Sequence, residues 1–208
     1  MSAREGYHAE YAQCETFWPE APGRFVRVLA DLTIRGDVLD LGAGLGGNAI
    51  FLASRGIRVT AVEASPIAVQ AFTRKRSALP DDVASRINIV HSDVRSFRPT
   101  QSFGAVVAYG LLHCFHQQSE VEAVVRMMQG ATAAGGFNVA VAITNRIPAP
   151  ACQPYLEPLV ISEHFVRQLY ADWSFHFFEH VVLRESHPTT NTEHEHSICR
   201  LLAAKRPP

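Results

Sequence analysis

Two rhythms of apolar residues alternate along this chain. Short runs rich in Val, Ile and Leu are followed by longer stretches in which apolar residues stand three and four apart, the spacing of a helix face. Residues 22–33 (PGRFVRVLADLT) carry apolar side chains at 25, 28, 29 and 32, behind a proline suited to a helix start. Residues 37–41 read as a strand that runs into glycine-rich sequence, and 48–55 as a helix stopped by Gly56. A second strand is expected over 57–62. Ser65 and Pro66 then open a helix to about Ala78, serine as cap and proline in the first turn.

Third and fourth strands are expected over 86–90 and 104–109, a helix over 119–133, and a Gly135-Gly136 turn into a fifth strand over 137–143. Strands alternating with helices predict a parallel sheet covered on both faces. The tail breaks this rhythm. Pro148, Pro150, Pro154 and Pro158 punctuate a loop, 162–173 reads as a helix, and two β-rich runs, 174–185 and 196–204, follow with no helix between them. The prediction is a doubly wound α/β sheet closed at one edge by an antiparallel hairpin.

The 208 residues suit one domain over 1–208, and at 47% apolar and 19% charged the chain is too apolar for disorder. Nineteen Lys and Arg against twenty Asp and Glu give a net charge of −1, without the basic excess that nucleic acid or an anionic membrane attracts. Only Lys75 and Lys205 are lysines, which removes a P-loop and any mechanism built on a mid-chain catalytic lysine. Cysteines at 14, 114, 152 and 199 form no CxxC pair and are read as reduced thiols. Residues 1–6 carry no apolar leader, and the longest apolar stretch, 103–114, falls short of the roughly 20 residues of a membrane span. The expectation is a cytoplasmic protein with neither a membrane nor a nucleic-acid partner.

Residues 38–48 (VLDLGAGLGGN) hold the strongest motif. Gly42, Gly44 and Gly47 satisfy GxGxxG for a dinucleotide, while Asp40, Gly42, Gly44 and Gly46 satisfy DxGxGxG for S-adenosylmethionine. Glu63, ending the second strand, serves either ligand, because a carboxylate there accepts from both ribose hydroxyls. Asp40 discriminates between them. A carboxylate at this strand end repels a pyrophosphate on the helix N-terminus. It attracts S-adenosylmethionine, which has no phosphate and carries an ammonium and a sulfonium. Asp93, after the third strand, is placed to accept from an adenine amino group. No tyrosine has a lysine four residues on, so the Tyr-xxx-Lys of a short-chain dehydrogenase is absent.

Residues 20–205 resemble the class I methyltransferases. Within that superfamily, 39–65 (LDLGAGLGGNAIFLASRGIRVTAVEAS) and 135–139 (GGFNV) look like the tellurite-resistance methyltransferase branch. The branch favours Cys where this chain has Ala43, and a GRNS ending where it has Gly46-Gly47-Asn48-Ala49. The resemblance implies a Rossmann-like, mostly parallel seven-stranded sheet with one antiparallel strand. It implies S-adenosylmethionine as cofactor, S-adenosylhomocysteine as product, and a small-molecule acceptor (O, N, S or a chalcogen oxyanion). Cofactor contacts are implied at Asp40, Gly42, Ala43, Gly44, Gly46 and Asn48, at Glu63, Ala64 and Ser65, at Asp93 and Val94, and at Tyr109 and Gly110.

His113, in 108–115 (AYGLLHCF), matches a Leu-x-His that related methyltransferases often carry after strand four, which places it at the methyl group. General base, substrate-orienting group and structural histidine are all open readings for it. Segment 1–20, with Tyr7, Tyr11, Phe17 and Trp18, reads equally as a lid or as an amphipathic helix on the core. Tyr11, Trp18 and Tyr155 are candidate substrate contacts, and acceptor choice is assigned to 146–160 and 184–196. His194 and His196 share a strand face at a metal-compatible spacing, but without a defined Cys or carboxylate triad no metal is expected. Cys114 is not expected to act as a nucleophile, since direct methyl transfer needs no covalent intermediate. A monomer or homodimer is expected. The rival reading is an S-adenosylmethionine-binding protein of this fold that does not transfer methyl groups, or that uses the cofactor in a non-methyl reaction.

Overall fold

The computed structural model describes residues 3–13, 22–186 and 192–206. The most apolar strand runs take the centre of its sheet: β1 (Val38–Leu41) is buried throughout, and β4 (Phe103–Tyr109) at all but its last residue. With β2 (Val59–Glu63), β3 (Ile87–His91), β5 (Thr132–Ile143), β6 (Ser174–Glu185) and β7 (His194–Ala204), they form one seven-stranded sheet of order β3-β2-β1-β4-β5-β7-β6. The first five strands pair in parallel, and β7 runs antiparallel to both β5 and β6. The reason is the connection: a parallel neighbour needs a long crossover, whereas the short link from β6 to β7 allows only a hairpin.

Alternation along each strand divides the core in two. Val38 points to a layer built on Phe25 and Leu29 of α2 (Arg24–Ala30), Leu52 of α3 (Gly47–Ser54) and Phe72 of α4 (Pro66–Ser77). Leu39, the next residue, points to the opposite layer, with Val125 and Met128 of α6 (Gln118–Ala131) and Phe165 of α7 (Glu163–Leu169). A further helix, α1 (Ala3–Gln13), packs in a third apolar cluster with Ala68, Tyr155 and Leu156. The remaining helix, the single turn α5 (Asp81–Ala84), has no apolar stripe for periodicity to detect.

The observed elements differ from the sequence reading at their ends. Gly135-Gly136 does not begin β5 but lies inside it. Gly135 donates to the Lys205 carbonyl and Lys205 to that of Gly136, so pairing with the chain beyond β7 carries the ladder through the glycines. The helix expected over 162–173 is α7, starting at a cap where Ser162 Oγ accepts the Phe165 amide, and ending at Leu169. Strand β7 starts two residues before the expected 196.

Candidate functional site

The strand order reverses between β1 and β4, because successive connections leave these two neighbours in opposite directions. In open sheets that divergence leaves a crevice at the C-terminal strand ends. Here a cleft of about 1530 Å³ opens there, between the glycine loop, the end of β4, helix α1 and the β6–β7 hairpin. Drug-sized ligand sites run to roughly 1,000 Å³, so this cleft has room for a cofactor and a second molecule.

The loop after β1 is bound to β2 rather than left open. The Gly42 and Ala43 amides both donate to the Val62 carbonyl, at 2.9 and 3.0 Å. The Gly44 amide donates to Glu63 Oε2 at 2.8 Å, and Glu63 Oε1 accepts the Ala64 and Ser65 amides at 2.9 and 2.7 Å. Those three loop amides are therefore unavailable to a phosphate. Gly46 is not among the cleft-lining residues. It takes φ +84°, and a Cβ there would fall 2.2 Å from the Phe72 ring, so this glycine lets α3 close on α4. The structure thus gives Gly46 a packing contact, while its neighbours Leu45 and Gly47 line the cleft.

Asp40 is also placed differently from the sequence reading. It lies beneath the loop, 1% exposed, and does not line the cleft. Burial and, secondarily, the Glu63 charge push its carboxyl up to about 7, and its Oδ2 has no hydrogen-bond partner. An orphaned carboxyl oxygen under a loop whose Gly42, Ala43 and Gly44 amides are already engaged fits a cationic ligand above it. By this test the residues present suit S-adenosylmethionine.

Gly42, Ala43, Gly44, Asn48, Glu63, Ala64, Ser65, Asp93, Val94, Tyr109 and Gly110 all line the cleft. Several are already engaged. Asn48 Oδ1 accepts the Gly23 amide at 2.9 Å, tying the approach to α2 onto α3. Arg95 holds both Asp93 oxygens, Nε on Oδ1 at 3.0 Å and Nη2 on Oδ2 at 2.7 Å. Each Asp93 oxygen thus already accepts from that guanidinium.

His113 lines the cleft at 3% exposure, and both its nitrogens are bonded. Nδ1 accepts the Ile143 amide at 3.3 Å, so Nε2 carries the proton and donates to Tyr7 Oη at 2.8 Å. Burial, with a lesser contribution from His196, pushes its pKa down to about 3. The lone pair a general base requires is thus occupied by a backbone amide. This bonding counts against the base reading of His113. Burial pushes the neighbouring Cys114 thiol up to about 12, so it stays protonated at neutral pH.

Of the candidate acceptor contacts, Tyr11 lines the cleft, but over the glycine loop: a Cβ on Gly44 would approach its hydroxyl to 2.9 Å. Tyr155 does not line the cleft. It is 6% exposed under α1, where a Cβ on Gly6 would strike its ring at 2.2 Å, and it donates to Glu10 at 3.4 Å. It seats α1 rather than walling the cleft, because the Pro-rich loop folds beneath that helix. Trp18 and Phe17 lie outside the described residues, as does part of the 184–196 segment. Sequence reasoning missed Arg200, which reaches the cleft from the hairpin; Glu185, which does so too, lies in the 184–196 segment but was not singled out. The same reasoning also missed His116, which lines the cleft with Nε2 unbonded. Only the strand alternation at 183, 185, 198 and 200 carried a signal for the hairpin residues.

The fold and its glycine loop are similar to those of the class I, S-adenosylmethionine-dependent methyltransferases. The family model described as "Methyltransferase domain" matches residues 38–136, from β1 to the glycines inside β5. The chain is similar to Hemagglutinin 1 of Eikenella corrodens, 30% identical over 146 residues, covering 69% of this chain and 46% of that protein. It is 26% identical over 140 residues to the probable S-adenosyl-L-methionine-dependent methyltransferase TehB of Haemophilus influenzae (strain 10810), covering 66% and 46% of the two chains. The crystal structure of TehB from Haemophilus influenzae superposes with a TM-score of 0.73 at 20% identity, over 88% of this chain and 62% of that one. The chain spans about half the length of the curated relatives it matches.

Proposed function

We propose that this chain binds S-adenosylmethionine in the cleft and transfers its methyl group to a small-molecule acceptor, through O, N, S or a chalcogen oxyanion. The observation that carries the reading is the loop bound to Glu63 above a buried Asp40 whose Oδ2 is unpaired. When bound, the cofactor supplies a methyl carbon on a sulfonium, a leaving group already activated.

The chain's own residues then need only hold and align. Asp40 offers its charge to the ammonium and sulfonium side. Glu63 Oε2, with one amide on it, keeps a lone pair for a ribose hydroxyl, and Asp93 shares an oxygen with the adenine. His113 and Tyr7 fasten α1 across the methyl end, which excludes water and fixes the approach of the acceptor. Alignment of this kind is worth at most about 7–11 kcal/mol.

The test is calorimetric titration with S-adenosylmethionine and with NAD, followed by detection of S-adenosylhomocysteine across oxyanion, thiol, amine and hydroxyl acceptors. Tighter NAD binding defeats the cofactor assignment. Tight S-adenosylmethionine binding without product from any acceptor class favours the binding-only alternative.

A further inference from the structure

The β6–β7 hairpin walls the cleft opposite the glycine loop, and it carries donors that the proposed reaction does not use. Glu185 and His194 are register partners across the ladder, and His196, two residues on, returns to the same face. One ligand atom from each lies within 4.8 Å of the others. His196 Nε2 and Glu185 Oε1 are 3.5 Å apart. Ligands at about 2.0–2.1 Å from a tetrahedral zinc ion stand about 3.4 Å from each other, so this pair already has the spacing of one edge of a coordination shell.

The surroundings fit a ligand set as well. His194 and His196 are 8% and 2% exposed, with rings crossing at 83°. His194 Nδ1–H donates to the Thr192 carbonyl at 2.8 Å, which fixes the tautomer with its lone pair on Nε2. Metal-binding histidines are commonly oriented by a carbonyl in this way. The Cys152 sulfur lies 3.6 Å from the same Nδ1. Glu185 opens onto the cleft, so an ion here would face the acceptor chamber.

We propose that Glu185, His194 and His196 bind a zinc-class divalent cation in the wall of the acceptor chamber. Two imidazoles and one carboxylate suit a borderline ion rather than magnesium or calcium, which prefer all-oxygen shells. Three protein ligands leave a coordination position open to the cleft. An acceptor hydroxyl or thiol taking that position would release its proton to solvent more readily, the activation that His113 does not provide. This role rests on the methyltransferase reading, whereas the binding of the ion does not.

The experiment uses tag-free protein stripped with a chelator, titrated with Zn²⁺ by calorimetry and with Co²⁺ by visible absorption. The expected result is one ion per chain, with affinity falling at least about tenfold in His196→Ala and in Glu185→Gln. A far-UV circular dichroism spectrum unchanged in both metal-free variants reports that they fold. Glu185→Gln keeps the side-chain volume should His196→Ala fail to fold. No saturable Zn²⁺ binding, or binding equally tight in a folded variant, overturns the site. Since the metal titration involves neither cofactor nor acceptor, its failure is distinguishable from failure of the methyltransferase reading.

Discussion

Tyr7, on the first helix, accepts a hydrogen bond from His113, 106 residues later, at 2.8 Å, with the two rings edge-on at 6.1 Å between centroids. This contact joins α1 to the turn after β4, two elements that both line the cleft. Tyr7→Phe removes the acceptor and leaves a buried imidazole N–H unpaired, a loss of about 1–3 kcal/mol. Chemical denaturation measures it. Hydrogen exchange across 3–13 is expected to quicken as well, and exchange unchanged there means that the bond does not hold the helix.

The pKa of His113, pushed down to about 3, makes a second prediction. Unfolded, this imidazole binds a proton below about 6.5; folded, it stays neutral to about 3. The unfolded state therefore binds more protons between those values, and stability falls as pH drops, by up to about 1.4 kcal/mol per unit from this group. His113→Gln is expected to flatten that slope in denaturation curves between pH 4 and 6.5. Turnover is expected to show no ascending limb near pH 6.5. A limb there that His113→Gln abolished would restore the base role.

Asp40 has the opposite sign. Its folded pKa, about 7, lies above the usual carboxylate value, so from about pH 4 to 7 the folded state binds more protons and stability falls as pH rises. The three-unit shift corresponds to about 4 kcal/mol at most. Asp40→Asn is expected to remove this decline, leaving the variant more stable than the parent at pH 8 while binding S-adenosylmethionine more weakly. Parent affinity for the cofactor is expected to climb between pH 6 and 8 as the carboxylate ionises. Equal affinity in the variant would show that Asp40 does not sense the ligand.

Gly46 and Gly56 share φ +84°, but only Gly46 faces an obstacle, the Phe72 ring. Gly56→Ala therefore carries the left-handed backbone cost alone, about 1–2 kcal/mol. Gly46→Ala adds an overpacking cost of about 1–3 kcal/mol and is expected to loosen α3 against α4. Thermal unfolding of the two variants separates the contributions, and equal losses would mean that Phe72 simply moves aside.

Local chemistry made much of this protein readable from its residues alone. The alternating apolar rhythms gave seven strands and the reversal at the end, because periodicity and connection length are properties of adjacent sequence. The glycine loop and the acids at 40, 63 and 93 were legible for the same reason, since the loop and each strand end are local units. What those residues touch was decided only by the tertiary structure. Asp40 sank beneath the loop, Glu63 was taken up by three backbone amides and Asp93 by Arg95. Tyr155 turned under a helix 145 residues away, to meet Glu10. His113 exchanged its lone pair for the Ile143 amide. Each of these outcomes depends on partners far apart in the chain. Residue spacing locates a side chain on its own element, whereas burial and long-range hydrogen bonding determine its protonation state and the atoms it leaves for a ligand.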